Sequence, residues 1–112
     1  MTLRGSLDVT VDGGVQFAFA VRNDGEEPVE LAFPDALEAD FAVLDDGEVW
    51  RFSEGRLFAQ ALGSETIAPG EVATYEASWD DPDPGEYAAV ATLEAREQDC
   101  EARVEFSVDG DR

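Results

Sequence analysis

The sequence predicts an all-β domain, an antiparallel β-sandwich of eight or nine short strands, and three observations carry that prediction. Apolar residues recur with period two in short runs. Clusters of Gly, Pro, Asn and Asp interrupt those runs about every eight to twelve residues. No window shows the 3.6-residue period of an amphipathic helix.

The elements follow in order. Leu7, Val9 and Val11 alternate with Asp8, Thr10 and Asp12, and Val15, Phe17, Phe19 and Val21 alternate with Gln16, Ala18, Ala20 and Arg22. The intervening Asp12-Gly13-Gly14 is turn chemistry, so these two strands should pair as a hairpin or pass between sheets at a corner. Asn23-Asp24-Gly25-Glu26-Glu27-Pro28 is a second turn and opens a third strand, Val29 to Phe33, which Pro34 stops. Phe41 to Leu44, the turn Asp45-Asp46-Gly47, and Glu48 to Phe52 form a second hairpin. Residues 53 to 63 lack a strand period and are expected to be the longest irregular stretch.

Thr66-Ile67 and the Pro69-Gly70 turn lead into a run whose inner face is Ala73, Tyr75, Ala77 and Trp79. Asp80-Asp81-Pro82-Asp83-Pro84-Gly85 is a loop, because proline donates no ladder hydrogen bond. Tyr87, Ala89, Ala91 and Leu93 then alternate, and Cys100, Ala102, Val104, Phe106 and Val108 close the chain. Pro84-Gly85-Glu86-Tyr87 is similar to the tyrosine corner of immunoglobulin-like sandwiches, where the hydroxyl bonds nearby backbone, and this favours an immunoglobulin-like sandwich over a barrel. Phe17, Phe19, Tyr75, Trp79, Tyr87 and Phe106 are the expected core. No linker or repeat divides residues 1–112, which read as a single domain.

Composition excludes more functions than it suggests. There are 27 Asp and Glu against 7 basic residues, every one arginine, giving a formal charge of -20. Nucleic acid and anionic membranes are therefore unsuitable partners. A surface so acidic and free of lysine is like that of proteins from salt-accumulating cells. The clusters at Asp45, Asp46 and Glu48 and at Asp80, Asp81 and Asp83 should make stability rise between about 0.1 and 2 M KCl.

Without histidine or lysine, the usual serine and cysteine nucleophile pairs cannot be assembled, so the chain is expected not to be an enzyme. No cofactor is implied. A single cysteine and no histidine do not make a zinc ligand set. Asp80, Asp81 and Asp83 could supply oxygen ligands to calcium, but their spacing matches no EF-hand and a solvated loop is the expectation, so no metal is expected. Cys100 falls on an apolar phase and reads as an inert buried thiol, and no disulfide is available within the chain. The N-terminal residues carry no signal-peptide pattern and no segment has the length of an apolar membrane span, so the expected location is the cytoplasm.

What remains is an aromatic and arginine-bearing segment: Val49-Trp50-Arg51-Phe52-Ser53 followed by Arg56, Leu57, Phe58 and Gln60. Aromatic and arginine side chains dominate interface energies. Trp50, Arg51, Ser53, Arg56, Leu57, Phe58 and Gln60 are therefore the expected protein-binding residues. In a second reading Trp50 and Phe58 fill the end of the core while Arg51 neutralises nearby carboxylates.

An ordered set of residues resembles the bacterial intracellular proteinase inhibitors of the BsuPI family. It comprises Phe17 to Asn23 with Pro28 to Leu31, Asp40-Phe41, Val49 to Ser53 with Phe58 and Gln60, Pro69-Gly70-Glu71, Trp79, and Gly85-Glu86-Tyr87. The resemblance implies an immunoglobulin-like sandwich that binds and inhibits an intracellular, subtilisin-like serine protease. The alternative is an immunoglobulin-like adaptor or structural module that pairs through a sheet edge or face and inhibits nothing.

Overall fold

A computed structural model describes residues 3–55, 62–96 and 98–109. Nine strands run through them: β1 (Leu3–Val11), β2 (Val15–Asn23), β3 (Val29–Phe33), β4 (Ala39–Leu44), β5 (Glu48–Arg51), β6 (Gly63–Ile67), β7 (Val72–Trp79), β8 (Gly85–Leu93) and β9 (Glu101–Val108). They pair antiparallel in the orders β1-β2-β7, β3-β6 and β5-β4-β8-β9. The described residues contain no helix, and none is long and apolar enough to cross a membrane. The three-stranded and four-stranded sheets face one another across an apolar interior, which makes this an immunoglobulin-like sandwich.

The alternation in β2 places Val15, Phe17, Phe19 and Val21 in that interior, each at most 2% exposed. Facing them from the other sheet, Phe41 meets Phe17 at 5.9 Å and Phe19 at 6.4 Å between ring centroids. Such tilted and edge-on aromatic pairs add to the stabilisation that burial itself supplies. Of the expected core, Phe17, Phe19, Tyr75 and Tyr87 are buried. Trp79 and Phe106 are only partly buried and pack against its rim, because each lies on a strand at the margin of its sheet.

The tyrosine corner is present. The Tyr87 hydroxyl donates to the Asp83 carbonyl at 2.6 Å, which fixes the loop between β7 and β8 to the strand that follows. Burial also pushes the phenol above its ordinary pKa, with the charges of Asp83 and Asp45 adding to it.

Two features depart from the sequence-based expectation. Strand β6 occupies Gly63 to Ile67, although residues 53 to 63 are expected to be irregular and the sequence shows no strand period between there and the Pro69-Gly70 turn. Its first four residues are exposed, so burial imposes no alternation on them. Pairing with β3, from Val29 opposite Ile67 to Phe33 opposite Gly63, defines the strand instead.

The second is Asn23, expected as a turn residue on turn chemistry alone, which is wholly buried. Its side-chain amide donates to the carbonyls of Glu27 and Ile67, both at 2.8 Å, and its side-chain oxygen accepts from the Gly25 N–H. It thereby ties the end of β2 to the β2–β3 turn and to the end of β6. A buried amide is stable only when its polar atoms are satisfied in this way.

Candidate functional site

The β4–β5 hairpin carries the described part of the aromatic and arginine segment. Its turn uses left-handed backbone at Asp46 and Gly47 (φ 55° and 119°), which suits the right-handed twist of paired strands. The register then shifts: Leu44 lies opposite Glu48 while Val43 lies opposite Trp50. Val49 is the extra residue of this bulge and is half exposed. A bulge re-aims the side chains that follow it. Here it turns Trp50 inward and leaves Arg51 on the outer face, opposite Ala42.

Trp50 stacks on Phe17 at 5.7 Å and on Trp79 at 5.9 Å. It bridges the edge of the four-stranded sheet to β2 and β7 of the other, and it remains partly exposed.

Arg51 lies between two carboxylates. Its Nη1 donates to Asp40 Oδ2 at 2.9 Å, and its Nε and Nη2 donate to Glu48 Oε1 at 3.0 and 2.8 Å. These bonds, that from Glu48 foremost, raise the guanidinium pKa above its already high value.

Asp40 is the centre of this corner. Its side chain is 7% exposed, unusual for an acid on the outward phase of its strand. Oδ2 also accepts from the Ser53 hydroxyl at 2.7 Å. Oδ1 accepts from the backbone N–H groups of Phe41 at 2.9 Å and Ser53 at 3.1 Å. Phe52 N–H donates to the Phe41 carbonyl, and Glu54 N–H to the Arg51 carbonyl, so the chain leaving β5 is held to β4 by backbone as well. Glu94 stands nearby; its carboxyl is pushed above the usual range by burial first and by the charge of Asp40 second.

Of the expected binding residues, Trp50, Arg51 and Ser53 therefore gather around one corner. Arg56, Leu57, Phe58 and Gln60 lie outside the described residues. The corner's chemistry is that of a clasp. Ser53 donates to a carboxylate, and the sequence contains no histidine or lysine. Among the described residues no group of three or more Cys, Asp or Glu side chains is placed to hold a metal ion.

Sequence reasoning did not assign Asp40 its part in this clasp. The available signal was an acid inside the otherwise apolar run Ala39 to Leu44, which implies a dedicated partner.

Comparison with known proteins adds an independent line. The chain matches the family described as BsuPI, intracellular proteinase inhibitor, over residues 3–98. No curated protein matches it. Among solved structures it is similar to a beta-glucosidase from Kluyveromyces marxianus, with TM-score 0.50 and 15% identity, covering 96% of this chain and 14% of that one. The same enzyme in complex with glucose gives 0.49 and 14%, with the same coverage. The N-terminal domain of PorA gives 0.40 and 12%, covering 99% of this chain and 90% of that one. At 15% identity the likeness to the first of these concerns the fold alone, and this chain spans about one seventh of the glucosidase.

Proposed function

The chain belongs to the BsuPI family of intracellular proteinase inhibitors, and from that membership we propose that it binds and inhibits a subtilisin-like serine protease inside the cell. The family match carries this reading. The contact surface is the one that begins at Trp50, Arg51 and Ser53 and continues through Arg56, Leu57, Phe58 and Gln60. Two features support it. The start of the segment, Arg51 to Glu54, is tied by hydrogen bonds, and a binding surface held in place before the partner arrives loses less entropy on association. Aromatic and arginine side chains, the residue types that carry interface energy, are also concentrated there.

The test is a stoichiometric inhibition assay against subtilisin and the source cell's own intracellular serine proteases, in matched high salt. A Leu57→Ala, Phe58→Ala double variant should lose potency while keeping its melting temperature, because a contact surface can lose contacts without unfolding. Should the same change lower stability by about 3 kcal/mol or more, Phe58 is a core plug. Absence of inhibition by folded protein at micromolar concentration would leave the adaptor reading, in which pairing occurs through a sheet edge such as β5.

A further inference from the structure

We infer that Asp40 is the positioning residue of the binding surface: from beneath, it fixes Arg51 and Ser53 in the arrangement that the partner meets. The inference rests on the inhibitor reading above, and it concerns a residue that a partner does not need to touch. Asp40 is 6% exposed as a residue, whereas Arg51 and Ser53 are both partly exposed.

The geometry assigns the role. Arg51 and Ser53 lie 11 and 13 residues beyond Asp40 in the chain, on the far side of a hairpin turn. One carboxylate takes a guanidinium, a hydroxyl and a backbone N–H from them, at 2.9, 2.7 and 3.1 Å. The Arg51 guanidinium is thereby held to β4, and the backbone at Ser53 is fixed where the chain departs from β5. No other side chain accepts from Ser53 among the described residues, and Glu48, the second partner of Arg51, lies on the exposed side of the hairpin. Among described residues, then, only Asp40 joins both groups.

A buried acceptor shared by two exposed groups spares them the cost of becoming ordered when the partner binds. Its removal should consequently weaken association far more than its own contacts with the partner, which are none, would suggest.

The experiment uses the whole chain in high salt, with Asp40→Asn, Asp40→Ala and, as control, Glu48→Gln. Asparagine keeps the shape and the Oδ1 acceptor but replaces the Oδ2 acceptor with a donor that repels Arg51. Should Asp40→Ala fail to fold, Asp40→Asn carries the test. Inhibition constants against subtilisin are measured well below each variant's melting temperature, and amide hydrogen exchange at Ser53 is compared with that at Val43 in the core.

The inference expects Asp40→Asn to raise the inhibition constant roughly ten- to a hundredfold, which corresponds to ordering two side chains on binding. Exchange at Ser53 should accelerate in Asp40→Ala, which removes the Oδ1 acceptor of that N–H, and far less in Asp40→Asn, which keeps it, while exchange at Val43 is unchanged. Glu48→Gln, which loosens Arg51 alone, should leave exchange at Ser53 as in the parent. An unchanged inhibition constant in folded Asp40→Asn, or unchanged exchange at Ser53 in folded Asp40→Ala, overturns the inference and leaves the inhibitor reading standing. Should the parent itself fail to inhibit, the inhibitor reading falls, and with it Asp40's role in inhibition; the exchange measurement then decides separately whether Asp40 fixes Ser53.

Discussion

Two residues on different sheets of this sandwich, one on an inner face and one on an outer face, are buried to a similar extent for opposite reasons. Phe19, at the middle of β2, has no exposed surface and lies among rings, with Phe41 and Tyr75 each 6.4 Å away. Asp40, on the outer face of the other sheet near the start of β4, is 6% exposed and lies among donors. The first is held by area removed from water, which has no preferred direction and accepts many neighbours. The second is held by bonds that fail when an atom moves by an ångström. The comparison teaches that a small sandwich keeps its stability in one place and its precision in another.

Substitution should separate the two. Phe19→Ala is expected to lower unfolding free energy by about 3–5 kcal/mol, measured by denaturation at fixed high salt, and Asp40→Asn distinctly less. A milder loss at Phe19 than at Asp40 would reverse the comparison.

Gly5→Ala attacks the interior from its edge. Its added methyl would meet a Phe19 ring carbon at 2.9 Å, the Cys100 sulfur at 3.0 Å and the Glu101 backbone oxygen at 3.1 Å. The ring cannot retreat into a filled core, so a loss of about 1–3 kcal/mol is expected in the same measurement.

The smallest effect belongs to Glu94, beside Asp40. Because burial and the charge of Asp40 hold its carboxyl above the usual range, the folded protein keeps that proton to higher pH than the unfolded chain does. The ionised form therefore subtracts from stability at neutral pH, and stability is regained as pH falls through the folded value. Glu94→Gln should raise the melting temperature slightly at neutral pH, with the gain vanishing below about pH 4, where the carboxyl is protonated in both states. A gain that persists in acid would place its origin elsewhere than in the charge.

How far each region was legible in the sequence follows from the same distinction. Burial in β2, β7 and β8 obeys the two-residue period, so Phe17, Phe19, Tyr75 and Tyr87 could be assigned to the interior from their spacing alone. The tyrosine corner was legible because proline, glycine and tyrosine stand at fixed offsets. Strand β6 was not, since Gly63, Ser64, Glu65 and Thr66 are all exposed and owe their conformation to a partner strand some 30 residues earlier in the chain.

Asp40 posed the same difficulty in stronger form. Its place in the otherwise apolar run Ala39 to Leu44 signalled a partner, but the donors lie beyond a turn and no local pattern connects them to it. Neutralisation of carboxylates by Arg51 was anticipated as a role; which carboxylates was not.

The stacking of Trp50 on Trp79 has an optical consequence. These are the only two tryptophans in the chain, and their rings lie 5.9 Å apart and 26° from parallel. Both indoles therefore emit from one point, the seam where the edge of one sheet meets the other, immediately beside Arg51. Fluorescence of the unlabelled protein reports on that seam rather than on an average over the molecule, and the electronic coupling of two stacked indoles should vanish when the sheets part.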